Sequence, residues 1–249
     1  MPQVRWRVAV TRDDGADRRL AVALELEGFD VVECPVLEEA PPASVTRLEA
    51  AARSLEQFDW IVFSSVRAVH ALVNMRPSAW PRGVRTAAVG SQTAEALARA
   101  GADPQPVSAD APGAEPLWDL LASLDQWTGR RVLVPTTPGG RRLLIDRLRA
   151  AGASVEEVEA YQILPRADHV IRACWESGAP QAAIIASPSA AEILARAVGV
   201  AGLRALQAVV AIGPTTAASL SALGVPHSQA PRADFTAAAA YLASLLHRR

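Results

Sequence analysis

Small polar residues recur in this chain directly after short apolar runs. They are Thr11-Arg12, Ser64-Ser65, Gly90-Ser91-Gln92-Thr93, Thr136-Thr137, Ser187-Pro188-Ser189 and Gly213-Pro214-Thr215-Thr216. If each run is a parallel strand, these residues stand at its carboxyl end, beside the start of the next helix. Free backbone N–H groups and the positive end of the helix dipole make that edge suitable for anions. Hydroxyls and Pro are also ordinary at helix starts, so each position alone reads as a cap as readily as a ligand contact. Recurrence at equivalent places favours a ligand role for the set. Tyr161, one of two tyrosines, offers a phenol able to donate to a leaving oxygen; packing at a domain boundary is the competing reading. Arg12 is the best-placed cation for a carboxylate. All 25 basic residues are arginines, whose planar fork suits carboxylates.

Other chemistries find little support. Gly139-Gly140-Arg141-Arg142 resembles a phosphate cradle, but the chain has no lysine to complete a Walker motif. Gly90 and Gly213 are isolated glycines, not a dinucleotide fingerprint, and there is no G-x-S-x-G elbow. His70, His169, His227 and His247 have no metal spacing and read as surface residues, and Cys34 and Cys174 read as buried free thiols. Neither a metal nor a cofactor is expected. A net charge of -1 argues against a non-specific nucleic-acid binder, and 50% hydrophobic residues against a disordered chain. No signal peptide and no apolar run of membrane-spanning length is evident, so a cytoplasmic protein with no membrane partner is expected, monomeric by default.

These residues need a scaffold, and the chain writes it twice. Arg7-Val8-Ala9-Val10-Thr11 through Gly28-Phe29-Asp30-Val31-Val32-Glu33 returns 124 positions later, from Arg131 to Glu157. A second unit, Ile61 to Ser65 then Ala88 to Ala94, returns at Ala183 to Ser187 and Ala211 to Ala217. The order A-B-A-B predicts two similar α/β lobes facing each other across a cleft. Strands are predicted at 7–11, 29–34, 60–64, 84–89, 131–134, 154–161, 182–186 and 208–212. Helices are predicted at 16–27, 45–55, 66–73, 92–100, 115–124, 141–151, 168–177, 189–197, 215–223 and 236–246. Asp13-Asp14-Gly15 reads as a turn, and 103–113, rich in Pro and Ala, as a strand inside a surface loop. Periodicity does not say whether the lobes are sequential or interleaved. The lack of a long linker near Gln126–Arg130 leans towards interleaving.

Taken in order, the motifs resemble the uroporphyrinogen-III synthase family. The resemblance rests on Val10-Thr11-Arg12, Phe63 to Val69, Ala88-Val89-Gly90, Glu159-Ala160-Tyr161-Gln162, Ser187 to Ala190, Ile212 to Ala217 and Phe235-Thr236. It implies interleaved lobes of about 1–36 with 165–249 and about 37–164, joined by two extended strands. It implies an enzyme without cofactor or metal, a cyclising hydro-lyase of porphyrin and heme biosynthesis. Its substrate would be hydroxymethylbilane, a linear tetrapyrrole supplied by hydroxymethylbilane synthase. Closure to uroporphyrinogen III loses water and inverts ring D. Carried over by position, Tyr161 is the active-site tyrosine, assisting departure of the hydroxyl. Thr11, Arg12, Ser64, Ser65, Gly90, Thr93, Thr136, Arg142, Ser187, Ser189, Gly213, Thr215 and Thr216 would contact substrate. Pro135-Thr136-Thr137-Pro138 departs from the arginine and glycine common there, with Arg141 or Arg142 as substitutes. Ala186 stands where a threonine is common. The alternative is a non-catalytic two-lobed small-molecule binding or regulatory module.

Overall fold

A computed structural model describes residues 5–13, 18–76, 79–107, 113–140 and 142–246. Asp14, Gly15, Arg141 and His247, each given a place above, lie outside these residues. The chain opens with β1 (Arg7–Val10), α1 (Arg19–Leu26), β2 (Asp30–Glu33) and β3 (Leu37–Ala40). There follow α2 (Val45–Arg53), β4 (Trp60–Phe63), α3 (Val66–Asn74), β5 (Arg85–Ala88), α4 (Ser91–Arg99) and β6 (Pro104–Val107). Next come α5 (Ala114–Ala122), β7 (Arg131–Thr136), α6 (Leu143–Ala150), β8 (Ser154–Glu159) and β9 (Gln162–Pro165). The chain closes with α7 (Asp168–Gly178), β10 (Ala182–Ile185), α8 (Pro188–Arg204), β11 (Ala208–Ala211), α9 (Pro214–Ala222), β12 (Ser228–Gln229) and α10 (Phe235–Leu246).

Two compact units result: a discontinuous one, residues 1–38 with 164–249, and a continuous one, residues 39–163. The discontinuous unit has a five-stranded parallel sheet ordered β12-β11-β10-β1-β2; the continuous unit has one ordered β6-β5-β4-β7-β8. Each sheet therefore takes two strands from an A copy and three from a B copy. Pairing of β1 with β10, and of β4 with β7, decides which copies combine. The two crossings, β3 and β9, form a two-stranded sheet of their own.

Short apolar runs became parallel strands because both faces are covered. In the discontinuous unit, Val8, Val10, Ala182 and Ile184 face a core formed with α1 and α10, while Ala9, Ala183 and Ile185 face one formed with α7, α8 and α9. In the continuous unit, Ile61 and Phe63 pack with α2, α3 and α4, whereas Trp60 and Val62 pack with α5 and α6. Gly178 lets α7 approach the sheet, since a Cβ there would collide with Val32 Cγ1. No helix among the described residues is long and apolar enough to cross a membrane.

Several boundaries differ from expectation. The first helix begins at Arg19, after Arg18 takes φ 44 and pairs with Glu25 and Glu33 at 2.9 Å each. The strand expected through Tyr161 ends at Glu159, and Gln162–Pro165 forms the separate β9. Helix α8 continues to Arg204 across a break at Gly199, φ 79. Apolar alternation did not mark β3, since Leu-Glu-Glu-Ala has none; an extended crossing there was implied by the family resemblance alone. The cysteines are not both buried: Cys34 is, but Cys174 is half-exposed. Their thiols interlock, Cys34 Sγ donating to Ile171 O at 3.6 Å and Cys174 Sγ to Glu33 O at 3.2 Å. Burial, then the neighbouring Cys174, pushes the Cys34 thiol up to about 12.

The amino ends of β4, β5 and β7 are tied by charge. Asp125 accepts from Trp60 Nε1 at 3.0 Å, pairs with Arg85, and accepts from Arg130 Nη2 at 3.1 Å; Arg130 also reaches Asp59 at 3.0 Å. Burial pushes the Asp125 carboxyl up, but the Trp60 indole and the Arg85 and Arg130 guanidiniums outweigh it and hold the group below its ordinary range. A depressed folded pKa means this stabilisation is present above the unfolded value, about 3.9, and lost as pH falls through the folded value. Asp125→Asn is expected to cost on the order of 2 kcal/mol, since two guanidinium partners stay partly hydrated. Thermal melts should show a loss of several degrees at neutral pH, and the gap from the parent should close in acid.

Candidate functional site

The continuous unit gathers Ser64, Ser65, Thr136 and Tyr161 at the carboxyl ends of β4, β7 and β8. There a cavity of about 220 Å³ is lined by Ser64, Ser65, Thr136, Thr137, Gly140 and Tyr161, with the start of α5 beside them. Ser65 is the N-cap of α3: its extended backbone, φ -158 and ψ 150, lets Oγ accept from the Ala68 N–H at 3.2 Å. The same oxygen lies 3.2 Å from the Tyr161 hydroxyl. Tyr161 is 8% exposed, packs in the core beneath α2, α3 and α4, and lines the cavity, so its ring is fixed beside that space. Just before it, the Ala160 N–H donates to Thr136 O at 2.7 Å, holding this segment beside β7.

A second recess, about 280 Å³, shares Thr136, Thr137 and Gly140 and adds Arg47, Arg142 and Glu157. Arg142 grips Glu157 with two hydrogen bonds of 3.1 Å, and Arg149 approaches the same carboxylate at 2.7 Å. Burial pushes Glu157 up, but the two arginines prevail and hold its carboxyl below the ordinary range. Arg142 is therefore engaged with an internal acid, and a carboxylate ligand must share or displace Glu157. Gly90 caps α4 at φ 80, a conformation that requires glycine. Gly213, its counterpart before α9, is extended at φ -145 and has no such requirement.

The discontinuous unit repeats the strand-end chemistry in its own sheet. Ser187 caps α8, accepting from the Ala190 N–H at 3.2 Å, and its hydroxyl lies 3.1 Å from that of Ser189. Thr11 is 1% exposed, and its hydroxyl has no hydrogen-bond partner among the described residues. The Arg12 guanidinium lies 4.5 Å over the Phe235 ring, a cation–π contact that links β1 to the start of α10. Thr215 is exposed in the first turn of α9, whereas Thr216 is buried.

The strand order, the hydroxyl-bearing edge and the chain's overall pattern converge on one assignment. A family model described as uroporphyrinogen-III synthase HemD matches residues 18–240. The chain belongs to the uroporphyrinogen-III synthase family. Uroporphyrinogen-III synthase of Synechococcus elongatus is 32% identical over 169 residues, 65% of this chain; the match covers 62% of that protein, less than two thirds of its length. Uroporphyrinogen-III synthase of Proteus mirabilis is 30% identical over 160 residues, 63% of this chain and 80% of that protein. The crystal structure of uroporphyrinogen-III synthetase from Helicobacter pylori 26695 aligns with a TM-score of 0.60 at 17% identity, over 99% of this chain and 100% of that one, a likeness of fold.

Within this uroporphyrinogen-III synthase family member, Ser64, Ser65, Thr136 and Tyr161 share one cavity. Gly90, Thr93 and Arg142 do not line it. Thr93 and Thr216 occupy the first turns of α4 and α9 and are 4% and 2% exposed, so each also fills space in its unit. Thr137 stood with Thr136 in the strand-end set, whereas the lining residue Gly140 belongs to a loop noted for its glycines but was not expected as a contact. Glu157 and Arg47 were missed outright. Parallel pairing of β7 with β8 is the signal that would place Glu157 beside the loop after β7.

Gly140 is the tightest point of that loop. A Cβ there would sit 2.9 Å from Thr136 Oγ1 and 3.0 Å from Thr137 O. Gly140→Ala is expected to cost about 1–3 kcal/mol by overpacking. A lower urea midpoint at unchanged m-value would show it. An unchanged midpoint would mean that the loop yields freely.

Proposed function

We propose that this protein is a uroporphyrinogen-III synthase, closing hydroxymethylbilane to uroporphyrinogen III with loss of water and inversion of ring D. The observation that carries the reading is the fixed Tyr161 phenol at the rim of a hydroxyl-lined cavity, in a chain of this family. The substrate is a polycarboxylate, and what the strand ends offer suits it: helix N-termini, hydroxyls and arginines. In this reading Ser64, Gly90, Thr93, Thr136 and Arg142 of the continuous unit bind substrate carboxylates, and Ser65 does so through its backbone N–H rather than its side chain. So do Thr11, Arg12, Ser187, Ser189, Gly213, Thr215 and Thr216 of the discontinuous unit. The protein works in the cytoplasm on hydroxymethylbilane released by its synthase.

The proposed chemistry begins when Tyr161 gives its proton to the terminal hydroxyl. The C–O bond breaks with its electron pair going to oxygen, and water leaves. Electrons from the pyrrole nitrogen stabilise the carbon left behind, giving an azafulvenium cation. Loss of its N–H proton regenerates the phenol and leaves an azafulvene. Ring D attacks this electrophile through its substituted carbon, forming a spiro intermediate that fragments and recloses inverted. Orientation is much of the task, because free solution does not favour the inverting attack.

The test supplies freshly made hydroxymethylbilane, then oxidises and separates the uroporphyrin isomers. Predominant isomer III is expected; isomer I alone at the enzyme-free rate would overturn the reading. Tyr161→Phe is expected to lower kcat by about tenfold or more with KM little changed, as for loss of an assisting proton donor. Arg12→Ala is expected to act chiefly on KM, and wild-type rates at low substrate would contradict its binding role.

A further inference from the structure

We infer that Ser65 is a positioning residue that directs the Tyr161 proton into the cavity, through a relay running from the Ala68 N–H to the Ser65 hydroxyl to the Tyr161 hydroxyl. The inference rests on the proposed role of Tyr161 and extends it to a residue acting through that phenol.

The argument is an accounting of one proton. A serine hydroxyl has a single hydrogen to donate and two lone pairs with which to accept. The Ala68 N–H occupies one lone pair of Ser65 Oγ at 3.2 Å. The hydroxyl of Tyr161, 3.2 Å away, is the other partner recorded for Ser65 Oγ among the described residues. Donation by Ser65 to Tyr161 uses its hydrogen and leaves the phenolic hydrogen to point elsewhere. Both residues line the same cavity. The opposite direction would spend the phenol's proton on Ser65 and leave Ser65's own hydrogen without that partner.

The arrangement also suits the charge that develops during the transfer. A hydrogen bond donated to the phenolic oxygen stabilises the phenolate left once the proton has moved to the departing hydroxyl. The Ala68 amide, in the first turn of α3, polarises Ser65 in the same sense, so the bonds reinforce one another. Water leaves with the C–O electron pair, and the phenolate recovers its proton from the pyrrole N–H of the azafulvenium cation. No oxidant or cofactor is needed for balance.

The internal duplication separates the two jobs of this serine. Ser187, its counterpart, makes the same cap on α8 at the same 3.2 Å. The position 124 residues before Tyr161 is Leu37, which has no hydroxyl. Capping is thus common to both copies, and the phenol contact belongs to the continuous unit.

A double-mutant cycle tests the relay on the full-length protein, with kcat, KM and melting temperature measured for each variant. Ser65→Ala is expected to lower kcat about fivefold, the usual worth of one hydrogen bond, while KM changes less than about twofold. Ser65→Thr, which keeps the hydroxyl, is expected to restore most of the rate. In the Tyr161→Phe background, Ser65→Ala is expected to leave kcat within about twofold, because nothing remains for it to direct. Ser187→Ala is the stability control: if capping is the shared role, both alanine variants lower the melting temperature alike. Losses in kcat that multiply in the double variant would overturn the relay, as would an unchanged kcat in Ser65→Ala. Full turnover by Tyr161→Phe would instead remove the tyrosine's role, and the failure would lie with that premise.

Discussion

Parallel pairing is the constraint on which this structure depends. A strand in a parallel sheet cannot turn straight back into its neighbour, so the chain must cross over and re-enter from the same side. In this protein most crossings are helices, and their N-termini meet the sheet's carboxyl edge. Unsatisfied backbone donors therefore collect along that edge and must be capped or offered to a ligand. Ser65 and Ser187 answer with hydroxyls, Gly90 and Gly213 with accessible backbone. Capping and recognition are two uses of one physical requirement. This is why the strand-end residues were visible as a set and ambiguous one by one.

The opposite edge of the continuous unit is organised for stability. Asp125, Asp59, Arg85 and Arg130 tie the strand starts together around a largely buried carboxylate. The amino edge thus holds charges paired within the protein, while the carboxyl edge leaves hydroxyls and a phenol beside open volume. Arg142 and Glu157 are an intermediate case, a bidentate pair at the functional edge. The pair pre-orients the guanidinium, at the cost that an incoming carboxylate competes with Glu157.

Duplication supplied two copies of the same edge, and each copy then specialised. The continuous unit acquired a tyrosine against its capping serine. The discontinuous unit has Leu37 at the matching position, a second serine beside Ser187, and an arginine stacked on Phe235. Gly90 and Gly213 show the same divergence in backbone, one at positive φ and the other extended. Similar sequence in the two copies therefore did not mean similar local conformation, because the residue that follows differs: Ser91 in one copy and Pro214 in the other.

The sequence by itself determined what depends on neighbours along the chain. Periods of apolar residues marked the helices and the central strands, though not β3, β6, β9 or β12, and the repeat marked two copies of one grammar. Strand-end hydroxyls followed from both. Element ends were less legible, as at Arg19 and Arg204, because fraying, caps and helix breaks depend on packing beyond the local pattern. Only the tertiary structure decided which copy pairs with which, through β1 with β10 and β4 with β7. Only it brought Ser65 to Tyr161 across 96 positions, set the interlocked Cys34 and Cys174, and placed Glu157 against Arg142. These contacts join segments whose separation is fixed by sheet order, and no period in the sequence encodes sheet order.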